Sequence, residues 1–206
     1  MKNKFDLIAG QWDSPYRIKR ANSISDKIRE YAGFTTDDKV LDYGCGTGLI
    51  SFNLVEYVGS ITFVDTSEEM LSAVNEKVKL LENKNKYEFA NNISTDRLEQ
   101  ETYDCIYASM VLHHIKDMEP LALRFRQLLK KNGVLCIVDL TPDDGSFHSD
   151  EPDFDGHNGF NPEELSAFFC KYGFKKEKSE IFFSDKREKN GREIDYSLFI
   201  LKLKKI

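Results

Sequence analysis

The chain reads as an α/β protein: a single doubly wound, mostly parallel sheet with helices on both faces. Three observations predict this. Apolar runs of strand length alternate with amphipathic helical segments along most of the 206 residues, and such alternation gives parallel strands joined by covering helices. The first apolar run, Lys39 to Leu41, enters a glycine-rich turn, Asp42-Tyr-Gly-Cys-Gly-Thr-Gly48. The second strand, Ile61-Thr-Phe-Val-Asp65, ends on a carboxylate. Strand, glycine turn, helix start and a second strand closed by an acid outline a nucleoside-binding corner at the C-terminal edge of a parallel sheet.

The elements follow in order. Ser14-Pro15 starts a helix with Pro in its first turn; Ile18, Ala21, Ile24, Ile28 and Tyr31 give it one apolar face, and Gly33 ends it. After the first strand and turn, a helix from about Thr47 carries Ile50, Leu54 and Val58 and stops at Gly59. Thr66-Ser-Glu-Glu69 is a capping-box pattern, which opens a helix with Met70, Val74, Val78 and Leu81 on one side. Tyr87 to Ala90 is a third strand and Tyr103 to Ala108 a fourth. A helix over Asp117 to Lys131 turns Leu121, Phe125 and Leu128 inward and ends at Asn132-Gly133. Val134 to Leu140 is the fifth strand. Residues 141–160 lack periodicity and form a loop. Asn161-Pro-Glu-Glu164 caps a helix that Gly173 closes. Strands over about Ser179–Ser184 and Ile194–Leu203 finish the chain, and the polar stretch Asp185 to Arg192 between them suits an exposed turn. The whole is expected to be one domain, an N-terminal helical segment (1–33) on an α/β core (34–206).

Composition bounds the function. A net charge of −6 argues against a nucleic-acid partner, which would favour a basic face. Cys45, Cys105, Cys136 and Cys170 form no CxxC pair, which suits a reducing cytoplasm and carries no metal signature. No apolar run has the length of a membrane span, and the polar N-terminus has no signal-peptide core. The oligomeric state is not legible.

The spacing in the turn separates two kinds of ligand. A dinucleotide fingerprint is Gly-x-Gly-x-x-Gly/Ala, but the third place counted from Gly44 is Leu49, too large for close packing. The spacing here is Gly-x-Gly-x-Gly with Asp42 ahead of it. That acid would repel a pyrophosphate and attract an ammonium group.

With these residues the chain resembles the class I S-adenosylmethionine-dependent methyltransferases of the small-molecule type. Asp42 to Gly48 matches their first motif and Asp65 their second acidic position. The resemblance implies a seven-stranded sheet whose last strand is antiparallel, so that a C-terminal antiparallel hairpin closes it. It implies S-adenosylmethionine as cofactor, approached by the backbone of Gly44, Cys45 and Gly46. Asp42 would orient the cofactor's amino-acid part, Asp65 would fix the ribose, Met70 and Ile93 would sandwich the adenine, and Thr66 is a further cofactor-binding candidate. Asn92 stands where the family often has an Asp that accepts from the adenine amino group; an ordinary Asn turn is an equal reading. Ser109 would lie beside the methionine part.

Ser109-Met-Val-Leu-His-His114 is similar to the stretch after strand four in small-molecule methyltransferases, so His113 is a candidate substrate contact, with helix packing as its other reading. Trp12 is a candidate lid, or a simple anchor. His148 and His157, in the acidic 141–160 loop, are candidate substrate residues and candidate bases with Asp139 behind them. The irregular spacing of the acids there predicts no bound metal. The expected function is methyl transfer from S-adenosylmethionine to a small-molecule acceptor. The alternatives are an NAD-dependent oxidoreductase, suggested by Tyr172 and Lys176 at Tyr-x-x-x-Lys spacing, and a non-catalytic S-adenosylmethionine-binding protein.

Overall fold

A computed structural model describes residues 4–82, 86–91, 98–189 and 191–206. The helices are α1 (Lys4–Ile8), α2 (Pro15–Ala32), α3 (Glu68–Val78), α4 (Glu119–Leu128) and α5 (Pro162–Cys170). The strands are β1 (Lys39–Tyr43), β2 (Ser60–Asp65), β3 (Tyr87–Asn91), β4 (Tyr103–Ser109), β5 (Leu129–Leu140), β6 (Phe174–Lys189) and β7 (Arg192–Lys205). They form one seven-stranded sheet in the order β3-β2-β1-β4-β5-β7-β6. All pairs are parallel except β5 with β7 and β6 with β7. The doubly wound sheet with its closing hairpin is therefore present.

Period-two alternation builds the two cores. Leu41, Ile106, Ile137 and Leu201 point to the face covered by Phe125 of α4 and Phe169 of α5. Their neighbours Val40, Tyr107, Val138 and Ile200 point to the face covered by Ile24 and Ile28 of α2 and Val74 of α3. Each large apolar side chain removed from water on these faces contributes about 1.5–3 kcal/mol. The caps act where short polar side chains allow: Asn161 Oδ1 accepts from Glu163 N at 2.9 Å, and Gly33 closes α2 at φ +68°. Ser67 rather than Thr66 caps α3, its Oγ accepting from Met70 N at 3.2 Å.

Three expectations are corrected. No α-helix follows the glycine turn: residues 51–53 make a 3-10 turn. Asn53 explains the tightening, because its Nδ2 donates to Leu49 O (3.3 Å), the acceptor an α-helical Asn53 N–H would use, and that N–H goes to Ile50 O instead. Asn132-Gly133 does not end α4 but lies inside β5, whose register against β4 shifts there, Tyr103 facing Leu129 and Cys105 facing Val134. The stretch 185–192 is not a turn: the β6–β7 ladder continues to Lys189 opposite Arg192. Backbone pairing and charged contacts such as Lys186 Nζ to Glu193 Oε2 (2.9 Å) hold this part, and neither needs an apolar pattern.

Strand order reverses across β1 and β4, so the crevice beyond their C-terminal ends is where a doubly wound sheet binds a ligand. The glycine turn, the Ser109 stretch, the 141–160 loop and the N-terminal segment converge there.

Candidate active site

The turn after β1 is tied to β2: Gly44 N and Cys45 N both donate to Val64 O, at 2.8 and 3.0 Å. Gly44 has φ +74° and Gly46 φ +53°, a region that disfavours any residue with a Cβ. At Gly44 a Cβ would lie 2.5 Å from Val111 Cγ2. Asp65 completes the corner. Its Oδ2 accepts from Gly46 N at 2.8 Å and its Oδ1 from Ser67 N at 2.9 Å. Burial raises this carboxyl's pKa, and the backbone N–H groups pull it partly back.

The corner opens into a cavity of about 740 Å³, within the usual range for small-molecule sites. Gly44, Cys45, Gly46, Asp65, Thr66, Met70, Ser109, Trp12, His113 and His148 all line it. Ser109 is about nine-tenths buried, and its Oγ has no hydrogen-bond partner among the described residues. A buried hydroxyl in that state is costly unless a ligand completes it. Met110 beside it holds φ +56°, a strained backbone of the kind found at binding sites. The N-terminal segment crosses the opening. The Trp12 ring lies over Gly46, with Nε1 3.4 Å from where a Cβ would be. Asp13 accepts from Thr47 Oγ1 at 2.5 Å and pairs with Lys77 at 2.7 Å, while Asp6 accepts from Ser67 Oγ at 2.6 Å.

Four sequence expectations come out differently or fall outside. Asn92 and Ile93 lie outside the described residues. Asp42 is not on the cavity wall. Its register partner on β4 is Tyr107, so both side chains share one face, and Ser51 Oγ bridges them at 2.6 Å to each. His157 is not on the wall either: its Nε2 meets Ile115 O at 2.9 Å and its ring packs on Phe160. Asp139 stands behind neither His148 nor His157 but behind His113, Oδ1 to Nδ1 at 2.5 Å, because β5 ends directly beneath the Leu112–His114 turn.

Burial pushes the Asp42 carboxyl up to about 7; Ser51 opposes the shift and Asp65 adds to it. An acid whose folded pKa is raised favours folding while it is protonated. Its contribution is complete below the ordinary value of 3.8 and is lost as pH rises through about 7. Asp42→Asn is therefore expected to melt with a flatter pH dependence between those values than the wild type, measured by thermal scans across the range. A wild-type slope retained in the variant would assign the effect to other groups.

His113 is buried and lines the cavity. The Asp139 carboxylate holds Nδ1, so Nε2 is the ring nitrogen left for a ligand. His148 packs beside it with ring centroids 5.1 Å apart and stacks face to face on Phe154 at 3.7 Å. Among the described residues no group of three or more His, Cys, Asp or Glu is placed to hold a metal ion.

The sequence reading missed a set of cations. Arg17 and Arg20 of α2, and Arg187 and Lys189 of β6, line the same cavity. Spacing carried the signal: Arg17 and Arg20 share the inward face of α2 with Ala21 and Ile24, and Arg187 and Lys189 share one face of a strand.

The fold and this site define a class of protein. A sequence-family description, a methyltransferase domain, matches residues 16–179. The chain belongs to that family, the class I S-adenosylmethionine-dependent methyltransferases. It is 33% identical over 144 residues to an uncharacterized methyltransferase of Schizosaccharomyces pombe, covering 63% of this chain and 51% of that protein. It is 28% identical over 154 residues to the ubiquinone biosynthesis O-methyltransferase of Pelagibacter ubique, covering 66% and 62%. The chain thus spans about half to three-fifths of the length of these relatives. A solved S-adenosylmethionine-dependent methyltransferase from Aquifex aeolicus shares the fold, with a TM-score of 0.74, 18% identity and 98% of both chains covered. The residues present suit the family's cofactor: two ribose hydroxyls for Asp65, close backbone approach at Gly44 and Gly46, and the uncompleted Ser109 hydroxyl. No described helix is long and apolar enough to cross a membrane.

Proposed function

We propose that this chain transfers a methyl group from S-adenosylmethionine to a small-molecule acceptor that loses a proton in the reaction, a hydroxyl being the simplest case. The observation that carries the reading is that one cavity holds both a nucleoside corner at Gly44–Gly46 and Asp65 and a carboxylate-held imidazole at His113. The bound cofactor supplies an electrophilic methyl on a sulfonium, so the protein's tasks are alignment, water exclusion and proton removal. Asp65 fixes the ribose. Thr66 and Met70 border the base, Ser109 the amino-acid part, and Asn92 and Ile93 belong to the same set by family position. Trp12 and the rest of residues 1–33 serve as a lid on the 34–206 core within one domain. His113 Nε2 takes the acceptor's proton, with His148 walling the acceptor.

The nearest competing reading, an NAD-dependent oxidoreductase, fails on geometry. Tyr172 follows the end of α5, Lys176 lies in β6 and pairs with Glu163, and neither lines the cavity. Calorimetric titration is expected to give binding of S-adenosylmethionine and S-adenosylhomocysteine at least about tenfold tighter than NAD. Labelled-methyl transfer to a panel of hydroxylated small molecules then separates an enzyme from a silent binding protein. Preferential NAD binding would overturn the proposal.

A further inference from the structure

We propose that the acceptor is an acid, and that Arg187 together with Arg20 binds its carboxylate or phosphate at the end of the cavity remote from Asp65. This deepens the methyltransferase reading and rests on it. Sheet order separates the two ends: Asp65 closes β2 on one flank of β1, whereas Arg187 comes from β6, the opposite edge strand.

Of the cations lining the cavity, Lys189 is paired with Asp150, and the three guanidiniums make other contacts. Arg17 donates Nη1 to Trp12 O at 3.3 Å and lies over the Trp12 ring at 4.1 Å. Arg20 faces the Tyr16 ring at 5.6 Å and the Tyr196 hydroxyl. Arg187 stacks on Phe147 at 5.1 Å. None of the three has a carboxylate partner among the described residues. Asp150 on the same wall pairs with Lys189, and Glu151 stands 3.3 Å from the His148 ring; Asp13, which is not on the wall, is held by Lys77 and Thr47.

The guanidiniums also stand close enough to feel one another. Burial, then Arg187 and Arg20, lower the pKa of Arg17, and Tyr16 and Asp13 offset this only in part. Like charges gathered in a half-buried, aromatic-walled cavity oppose folding unless an anion relieves them. The amino-acid carboxylate of the cofactor is a single charge next to its own ammonium, so it can pair with at most one of the three guanidiniums. A planar fork of N–H donors matches a carboxylate or phosphate in two-point contact, and the flat faces of Phe147 and Tyr16 suit an apolar or aromatic body attached to it.

The test uses the full chain saturated with S-adenosylhomocysteine, so that the cofactor's own carboxylate is already present. Benzoate is titrated against benzamide, and phenyl phosphate against phenol. At least one anion is expected to bind about tenfold or more tightly than its neutral counterpart. The margin should shrink at high salt, disappear in Arg187→Gln, and survive in large part in Arg187→Lys. The two pairs tell a carboxylate from a phosphate acceptor. Melting temperatures check that each variant folds, and Arg20→Gln serves where Arg187→Gln does not. Absence of S-adenosylhomocysteine binding overturns the methyltransferase reading and this proposal with it. Binding of S-adenosylhomocysteine without an anion preference, or with a preference unchanged in both Gln variants, overturns the acid acceptor alone.

Discussion

Asp65→Ala is expected to bind S-adenosylhomocysteine about 30- to 1000-fold more weakly than the wild type, a loss of about 2–4 kcal/mol. The carboxylate has two connected tasks. It offers a charged acceptor to neighbouring ribose hydroxyls, and it receives Gly46 N at 2.8 Å, which holds the turn in its left-handed conformation. Removal therefore deletes a ligand contact and loosens the backbone that forms the rest of the contact surface. Asp65→Asn keeps one acceptor oxygen and loses the charge, so it is expected to fall between Ala and wild type. Calorimetry and circular dichroism on the same samples separate affinity from folding. Wild-type affinity in a folded Asp65→Ala protein would place the ribose elsewhere.

The nucleoside corner was legible because it is local. Three glycines, an acid at the end of the next strand and the apolar runs that place them lie within residues 39–65, and backbone sterics leave few ways to use them. The long-range parts were not legible. Asp42 reads as a ligand residue by position, yet its register opposite Tyr107 turns it into the core beneath the turn. Arg187 reads as part of an exposed loop, because a half-solvated edge strand held by its ladder needs no apolar alternation. Only pairing of β6 with β7 carries that guanidinium back to the cavity. The histidines show the same limit. His113, His148 and His157 could each be proposed from local chemistry, but which of them Asp139 supports depends on where β5 ends relative to the 112–114 turn.

That choice sets the second large expected effect. His113→Ala is expected to lower methyl transfer about 10²- to 10⁴-fold, the usual contribution of a positioned base, while S-adenosylhomocysteine affinity stays within a few-fold. The measurement uses the acceptor found in the labelled-methyl screen, at saturating cofactor. Asp139 holds the imidazole in place, with Oδ1 on Nδ1 at 2.5 Å and Oδ2 accepting from His113 N at 3.3 Å. An Asn there retains one acceptor, so Asp139→Asn should lose turnover through disturbed orientation of His113 and be no worse than His113→Ala. The double variant should then be close to His113→Ala alone, since two residues acting as one unit are not additive. Added imidazole should restore part of the activity of His113→Ala, by filling the space of the missing ring, and none of that of Asp139→Asn. Packing alone would predict a different pattern: a lower melting temperature, no rescue, and additive losses. A folded His113→Ala enzyme with wild-type turnover would remove His113 from the chemistry and leave an acceptor that attacks without giving up its proton to the protein.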